Sequence, residues 1–406
     1  MKPTLFGYGK TTRAIAKSLG NHCTFYDDNC NKPFSDEYGN RIMPSHMFDP
    51  NSSQLEITTP SLPPQHPLIQ KARNLMSEYD YFLSNKTGKK PFSIWISGTN
   101  GKTTTTQMLT HLLTKRGAVS GGNIGTPLAE LSADASIWVL ETSSFTLHHT
   151  HTASPDIYLL LPITPDHLNW HGSPQAYEAD KLDPLTRMKE GELALVPKGL
   201  NLPKSDAWVV EYDSDRFLEE FFDLDSSRLR YKAAFLQDAL LSLAITRALF
   251  DEADYDLLNS FTLDKHRQEE IRDHLGRLWV NDSKATNIDA TVQAIKAYQD
   301  QKIHLILGGD DKGAELNNLL DLIAKHNIAL YTIGSNNDKL VSMAKERDIE
   351  YYDCKILDNA ILQIDKNLST DEVALLSPAA SSLDQFKSYA YRGEKFIDLI
   401  TKLSDA

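Results

Sequence analysis

The stretch SIWISGTNGKTTTTQMLTHLL, residues 93–113, decides the fold. Ser93-Ile94-Trp95-Ile96 is apolar and β-favouring, and reads as a buried strand. Gly98-Thr99-Asn100-Gly101 breaks that pattern. From Lys102 onward Met108, Leu109, Leu112 and Leu113 recur at helical spacing, until Gly117 stops the run. A strand, a glycine loop with a lysine and then a helix form a cradle for a triphosphate, because loop N–H groups and the positive helix end face the anion. Lys102 would reach the terminal phosphates and the Thr103 hydroxyl would hold Mg²⁺. The usual pattern opens on a glycine where Ile96 stands, so Gly98 is the only earlier glycine of a variant loop. The plainer reading is a glycine turn followed by a surface lysine.

Working outward, 406 residues are long for one core and predict two or three domains. Apolar content of 41% and charged content of 24% are those of an ordinary soluble protein. A net charge of −13 without a long basic run argues against nucleic acid as partner, so anionic ligands need local positive sites. Cys23, Cys30 and Cys354 lack metal-type spacing and fit a reducing cytosol. The polar start MKPTLFGYGKTT does not read as a signal peptide, and the longest apolar runs, such as Ile157 to Leu161, read as far too short to span a bilayer.

Before the loop, Thr4-Leu5-Phe6 reads as a strand. Gly7-Tyr8-Gly9 and a helix from about Thr11 to Leu19 follow, which suits either a pyrophosphate or a plain turn. Thr12 replaces the third fingerprint glycine. Thr24-Phe25-Tyr26 is a second strand ending at Asp27-Asp28, whose carboxylates suit a nucleotide sugar or base, or solvated turn positions. Leu55 to Thr58 is a strand. Pro-rich 59–64 is a turn, a helix is expected from His66 to about Met76, and Asn85 to Lys90 reads as a linker.

After the loop, Ser120 to Pro127 reads as a tight glycine loop. Ala135 to Leu140 is a strand ending in Glu141, a position suited to a Mg²⁺ ligand beside phosphates. Asp156 to Leu161 is a strand followed by Asp166-His167, either a ligand-facing pair or surface polarity. Ser173-Pro174 opens a helix carrying Lys181, by position a solvated lysine. Phe235 to Phe250 is a packed helix. From about Asp264, strands at 278–280, 304–307, 329–333 and 373–376 alternate with helices at 288–298, 314–326, 338–346 and 391–403. That pattern means a parallel sheet with covering helices. Polar clusters at 281–287, 308–313 and 377–386 follow strand ends and suggest a ligand edge or helix caps.

Together these residues resemble the Mur ligases, ATP-dependent amide-forming enzymes of peptidoglycan precursor synthesis, over nearly the whole chain. Gly98-Thr99-Asn100-Gly101-Lys102-Thr103-Thr104 matches the family's ATP loop. Gly122-Asn123-Ile124-Gly125, Glu141 with Ser143-Ser144-Phe145, and Asp166-His167 match its central motifs. Residues 281–287 and Ser382-Leu383-Asp384-Gln385-Phe386 resemble motifs of the D-glutamate-adding branch. The resemblance implies an α/β chain of three domains. They are an N-terminal Rossmann-like domain (1–87) for the UDP substrate, a central P-loop ATPase-like domain (88–264), and a C-terminal Rossmann-like parallel sheet (265–406) for the amino acid. It implies a hinge near Leu263 to His266 that closes over the reaction centre.

The resemblance also implies roles. Lys102, His167 and Lys181 are catalytic, and Thr103, Glu141, His167 and Lys181 hold two Mg²⁺ ions, with Lys181 carrying a CO₂-derived carbamate. Gly98 to Thr104, Arg267 and Asp282 bind ATP, with His266 beside Arg267. Thr11, Asp27, Asp28, Ser61 and Asn123 meet the UDP substrate, and Thr286, Lys312 and Ser382 meet D-glutamate. It implies a cytoplasmic monomer acting on UDP-N-acetylmuramoyl-L-alanine, D-glutamate and ATP, without nucleic-acid or membrane partners. Asn29 replaces a frequent arginine, Thr59-Pro60-Ser61 replaces a Ser-Pro-Gly turn, and Ala234-Phe235 and Asp238 replace a His-Asn pair and a later Asn. Altered uridine and adenine contacts are therefore expected. Alternatives are another Mur-type or folylpolyglutamate synthase-like ligase, or a non-catalytic nucleotide-binding regulator.

Overall fold

The computed structural model describes residues 2–84, 91–132 and 134–403. The chain divides into two compact units, Met1–Arg230 with Phe235–Phe261, and Tyr231–Ala234 with Thr262–Ala406. The first unit holds two six-stranded sheets and the second holds one.

The first sheet contains β1 (Thr4–Phe6), β2 (Thr24–Asp27), β3 (Phe34–Ser35), β4 (Arg41–Pro44), β5 (Glu56–Thr58) and β6 (Leu75–Met76). Its order is β3-β4-β2-β1-β5-β6, parallel except for β3 against β4. Alternate residues pack on opposite faces, as a strand's two-residue period requires. Leu5, Phe25 and Ile57 meet Ile15 and Ala16 of the helix Lys10–Ser18, while Phe6 and Tyr26 meet Phe48 and Leu68. The helix expected over 66–76 is shorter, Pro67–Lys71. The buried Glu56 carboxylate accepts the Arg73 and Asn74 N–H groups at 3.3 and 2.9 Å, drawing the chain out of the helix so that Leu75–Met76 can pair with β5. The linker expected at 85–90 lies outside the described residues.

The second sheet contains β7 (Phe92–Ser97), β8 (Ala118–Gly122), β9 (Ile137–Glu141), β10 (Ile157–Leu160), β11 (Leu193–Pro197) and β12 (Trp208–Tyr212), in the order β12-β11-β10-β7-β9-β8 and parallel throughout. The glycine run expected as a loop from Ser120 begins as edge strand β8. Gly122 lies so close to β9 that a Cβ there would sit 2.4 Å from the Glu141 carbonyl oxygen. Trp95, Leu140, Tyr158 and Leu160 pack on one face, and Ile94, Ile96, Val139 and Leu159 are equally buried. Burial on both faces is why these strands read as unbroken apolar runs.

The third sheet contains β13 (Glu269–Arg272), β14 (Leu278–Asn281), β15 (Ile303–Gly308), β16 (Ile328–Ile333), β17 (Tyr351–Lys355) and β18 (Val373–Leu376), ordered β13-β14-β18-β15-β16-β17. It is parallel apart from edge strand β13. Val280, Leu305, Leu330 and Leu375 pack on one face, and Trp279, Ile306, Tyr331 and Ala374 on the other. The helix expected over 314–326 spans only Asn317–Ile323.

All three cysteines are free and buried. Among the described residues one helix, Ala233–Phe250, is long and apolar enough to cross a membrane, contrary to the reading of apolar runs alone. Half of it is buried inside the protein and it carries Asp238 and Arg247, features of a core helix.

Candidate functional site

β7 runs beside β9 and β10, with Ile96 opposite Glu141 and Ser97 opposite Leu160. The chain then turns through the loop 98–101. Gly98 has φ +136°, and a Cβ there would lie 2.5 Å from the Leu161 Cβ. Gly101 has φ +85°, and its Cβ would lie 2.6 Å from Asp238 Oδ1. Neither position tolerates a side chain. The Thr99 N–H donates to the Pro162 carbonyl at 3.1 Å, and its hydroxyl donates to the Thr164 carbonyl at 2.9 Å, with the Tyr177 hydroxyl 3.0 Å away. The loop is thus pinned to the segment after β10. The helix Lys102–Leu113 follows, with no side-chain cap and no acidic residue in its first turn. A helix start of that kind, with its positive end, suits an anion.

Two lysines converge on this loop. Lys102 Nζ donates to the Gly98 and Thr99 carbonyls at 2.9 and 2.7 Å. Lys181, the expected solvated lysine, is 1% exposed. Its Nζ donates to the same Gly98 carbonyl at 2.8 Å and to Ser97 Oγ at 3.2 Å, and lies 4.7 Å from the centre of the Tyr177 ring. Burial first, and the Lys102 charge second, hold its pKa well below the ordinary lysine value. The Thr103 side chain is half-buried at the helix start.

Glu141 ends β9 beside the loop. Its Oε1 accepts from Asn123 Nδ2 at 2.6 Å, and the Asn123 N–H donates to the Glu141 carbonyl at 2.8 Å. Glu141 Oε2 is buried with no hydrogen-bond partner among the described residues. Such an orphaned carboxylate oxygen suits a cation. Among the described residues no three His, Cys, Asp or Glu side chains gather into a metal cage. Mg²⁺ at phosphates needs only one or two carboxylates, with phosphate and water supplying the rest.

His167 stands on an exposed turn, its side chain 51% exposed and its ring centre 4.8 Å from that of Phe145. Its backbone is left-handed, with φ 52°. Two residues given no role from sequence, His171 and Asp180, lie behind it. The His171 side chain is fully buried, with Nδ1 2.8 Å from Asp180 Oδ2 and Nε2 2.9 Å from Ser144 Oγ. Burial pulls its pKa below the ordinary histidine value. A neutral His171 donates from Nδ1 to the carboxylate and accepts the Ser144 hydroxyl on Nε2. The spacing of His171 four residues after His167 was a signal in the sequence. Asp180 carried none.

On the first sheet, Thr12 explains its place in the glycine turn. Its buried hydroxyl donates to the Gly7 carbonyl at 2.6 Å and faces the Gly9 N–H at 3.2 Å. Asp27 accepts the Tyr8 and Asn29 N–H groups, and Asp28 pairs with His66 at 2.8 Å. Hydrogen bonding from Ser45 leads in lowering the Asp28 pKa. Ser61 is exposed, its carbonyl accepting from Trp170 Nε1 at 3.4 Å. Thr11 and Asn123 share a cavity of about 170 Å³ with Lys10, Pro60 and Glu78. Burial raises the Glu78 pKa from 4.5 to about 7.

In the second unit, the loops after β14, β15 and β18, three adjacent strands, bring Thr286, Lys312 and Ser382 to one sheet edge. Thr286 and Lys312 are exposed and Ser382 is buried. Asp310 and Ser381 exchange backbone bonds of 3.0 and 2.9 Å, tying two of these loops. Asp282 accepts from Ser377 Oγ at 2.8 Å and from the Gln268 N–H at 3.2 Å, and burial raises its pKa to about 7. Arg267 Nε is buried without a hydrogen-bond partner among the described residues. His266 is buried, with Nδ1 2.9 Å from Asn281 Nδ2.

Residues 96–212 match the Mur ligase middle domain. The whole chain is similar to proteins named UDP-N-acetylmuramoylalanine–D-glutamate ligase. One from Campylobacter jejuni is 50% identical, covering 99% of this chain and 100% of its own, and one from Helicobacter pylori is 46% identical with the same coverage. Among solved structures, the MurF ligase from Thermotoga maritima in complex with ADP aligns with a TM-score of 0.60 at 15% identity, covering 100% of this chain and 99% of its own. The UDP-N-acetylmuramate-alanine ligase MurC of the same organism gives 0.56 at 18%, covering 98% of each.

Proposed function

The chain belongs to the UDP-N-acetylmuramoylalanine–D-glutamate ligases of the Mur ligase family, and from that membership we propose which of its residues carry the reaction. It is an ATP-dependent ligase that adds D-glutamate to UDP-N-acetylmuramoyl-L-alanine in peptidoglycan precursor synthesis. The observation that carries this is the 50% identity across the full length of both chains.

A carboxylate does not condense with an amine unaided, so the γ-phosphoryl group first passes to the L-alanyl carboxylate, giving an acyl phosphate. The amine of D-glutamate then attacks the acyl carbon and phosphate leaves. Lys102 and the uncapped helix end hold the ATP phosphates and offset charge on the transferring group, supported by their convergence on the loop 98–104. Glu141 and Thr103 would hold one Mg²⁺, and His167 with a carbamylated Lys181 a second. The orphaned Glu141 oxygen supports the first ion. When bound, the ions supply Lewis-acid neutralisation of phosphoryl oxygens. The depressed pKa of Lys181 supports its carbamate, since only a neutral amine adds to CO₂.

Arg267 and Asp282 would meet the nucleotide, Thr286, Lys312 and Ser382 the D-glutamate carboxylates, and Thr11, Asp27, Asp28, Ser61 and Asn123 the UDP substrate. Asp27 and Asn123 already spend bonds on the protein, so they serve through their remaining lone pairs or by exchanging partners. We take the domain limits as 1–87, 88–264 and 265–406, and the chain as a cytoplasmic monomer acting on small molecules.

The test is phosphate release with ATP, UDP-N-acetylmuramoyl-L-alanine and a panel of D-glutamate, L-lysine, diaminopimelate and L-alanine. Release only with D-glutamate is expected. Release with L-lysine or diaminopimelate instead would overturn the branch.

A further inference from the structure

Ser144 lies three residues after Glu141, His171 four after His167, and Asp180 immediately before Lys181. Their side chains form one hydrogen-bonded line. It runs from Ser144 Oγ to His171 Nε2 at 2.9 Å, from His171 Nδ1 to Asp180 Oδ2 at 2.8 Å, and from Asp180 Oδ1 to His148 Nδ1 at 2.9 Å. The line therefore joins the three segments that carry Glu141, His167 and Lys181. An aromatic layer reinforces it. Phe145 stacks on the His171 ring, centres 5.5 Å apart and planes within 11°, while also meeting His167 at 4.8 Å. Trp170 and Tyr177 lie 4.5 and 5.2 Å from His171.

The His167 turn has bonds of its own, its N–H donating to Asp166 Oδ1 at 2.8 Å and its carbonyl accepting the Trp170 N–H at 2.9 Å, but these are local. Its left-handed backbone, φ 52°, is disfavoured in a residue that has a Cβ. The helix Leu168–His171 that it opens is four residues long, far below what stands alone in water. The tie from this short turn to the rest of the domain runs through the buried His171 side chain, bonded at both ends. The order Ser–His–Asp is also that of nucleophilic hydrolases. Here Ser144 is only 3% exposed, so its hydroxyl is out of reach of a substrate carbonyl and serves as a tether.

We propose that His171 is a positioning residue of the ligase, clamped between Ser144 and Asp180 so that it fixes the His167 turn against the segments bearing Glu141 and Lys181. This rests on the reading of His167 and Lys181 as reaction-centre residues. The asparagine amide stands where Nδ1 stands and the glutamine amide where Nε2 stands. His171→Asn thus keeps the Asp180 bond and loses Ser144, and His171→Gln does the reverse.

Each variant, and Ser144→Ala, is measured for kcat and KM, for thermal melting, and for hydrogen exchange of the backbone over 165–171. The expectation is kcat down by 10- to 100-fold, as for a slightly misplaced reacting group, on the order of magnitude found for such displacements. KM for ATP and for the UDP substrate should stay within about 2-fold where binding contacts are untouched. Melting should move by no more than about 3 °C. Faster exchange should be confined to 165–171. Unchanged kcat with unchanged exchange in the two His171 variants overturns the proposal. So does exchange that rises throughout the second sheet with a collapsed melting point, because His171 would then hold up the domain rather than the turn. If the wild-type protein releases no phosphate with D-glutamate, the functional reading falls, while local exchange over 165–171 still decides whether His171 fixes the turn.

Discussion

Lys181→Met separates what the buried lysine does for the fold from what it does for the reaction. Methionine fills similar volume without a charge. The substitution deletes two hydrogen bonds, to Ser97 Oγ and to the Gly98 carbonyl. The carbonyl keeps Lys102 as a donor at 2.9 Å, so the loss orphans no backbone acceptor. Two such bonds are worth about 1 kcal/mol each. Against them stands the cost of carrying an ammonium group in a 1% exposed position beside Lys102.

The sign follows from proton counting. The folded-state pKa of Lys181 lies below its unfolded value of about 10.5. In the window between the two, the unfolded chain binds the proton and the native one does not, so wild-type stability rises with pH at about 1.4 kcal/mol per pH unit. Below the folded pKa the full penalty is present. The methionine variant lacks this slope. Urea melts of both proteins in CO₂-free buffer from pH 6 to 10 should show the variant gaining most at the low end, with the difference shrinking as pH rises. Turnover should be lost across the range. Bicarbonate should stabilise the wild type and leave the variant unmoved, because only the wild type can bind CO₂ at this amine. A wild-type-minus-variant difference that stays flat with pH would refute the depressed lysine, and full turnover in the variant would refute its role in the reaction.

Gly101→Ala should lower stability by about 1–3 kcal/mol, the range for a forced backbone conformation, and raise KM for ATP, because φ is +85° and the new Cβ would meet Asp238 Oδ1 at 2.6 Å. Urea melts and ATP titration of turnover check it. Glu78, buried and raised from 4.5 to about 7, keeps its proton in the folded chain over that window while the unfolded chain loses it, so wild-type stability falls as pH rises through it. Glu78→Gln should remove that fall, worth about 3 kcal/mol by pH 8, and melts at pH 4 and pH 8 measure it.

What could be read from the sequence depended on where the deciding contact lay. β7 and the helix after it were legible because both their apolar periodicity and their glycines are local. β14, β15, β16 and β18 were legible because both faces are buried. β13 (EEIR) and β17 (YYDCK) were not, since each is an edge strand with one pairing partner and a polar composition. The helix expected over 66–76 ends early because the group that stops it, Glu56, comes from a strand ten residues before its expected start. Lys181 looked solvated on its own helix. The glycine loop and Tyr177 bury it, and no pattern along the chain encodes that closure. The same holds for Asp180, whose two histidine partners come from separate segments.

The charge balance gives those contacts a common sense. A chain of net charge −13 must gather positive potential locally before it can hold a triphosphate and a carboxylate. At the loop 98–101 it offers Lys102 and a bare helix end, the latter worth about half a unit charge. Lys181, which donates to the same Gly98 carbonyl as Lys102, is held toward neutrality and adds little. Glu141 subtracts one charge, and a carbamate on Lys181 would subtract another. On the proposed assignment, the protein therefore makes this pocket more negative before ATP arrives. That is self-defeating unless divalent cations enter with the nucleotide. On that assignment the orphaned Glu141 oxygen and the lysine of lowered pKa are two halves of one arrangement, in which protein anions are laid out for metal while Lys102 and the helix end face phosphate.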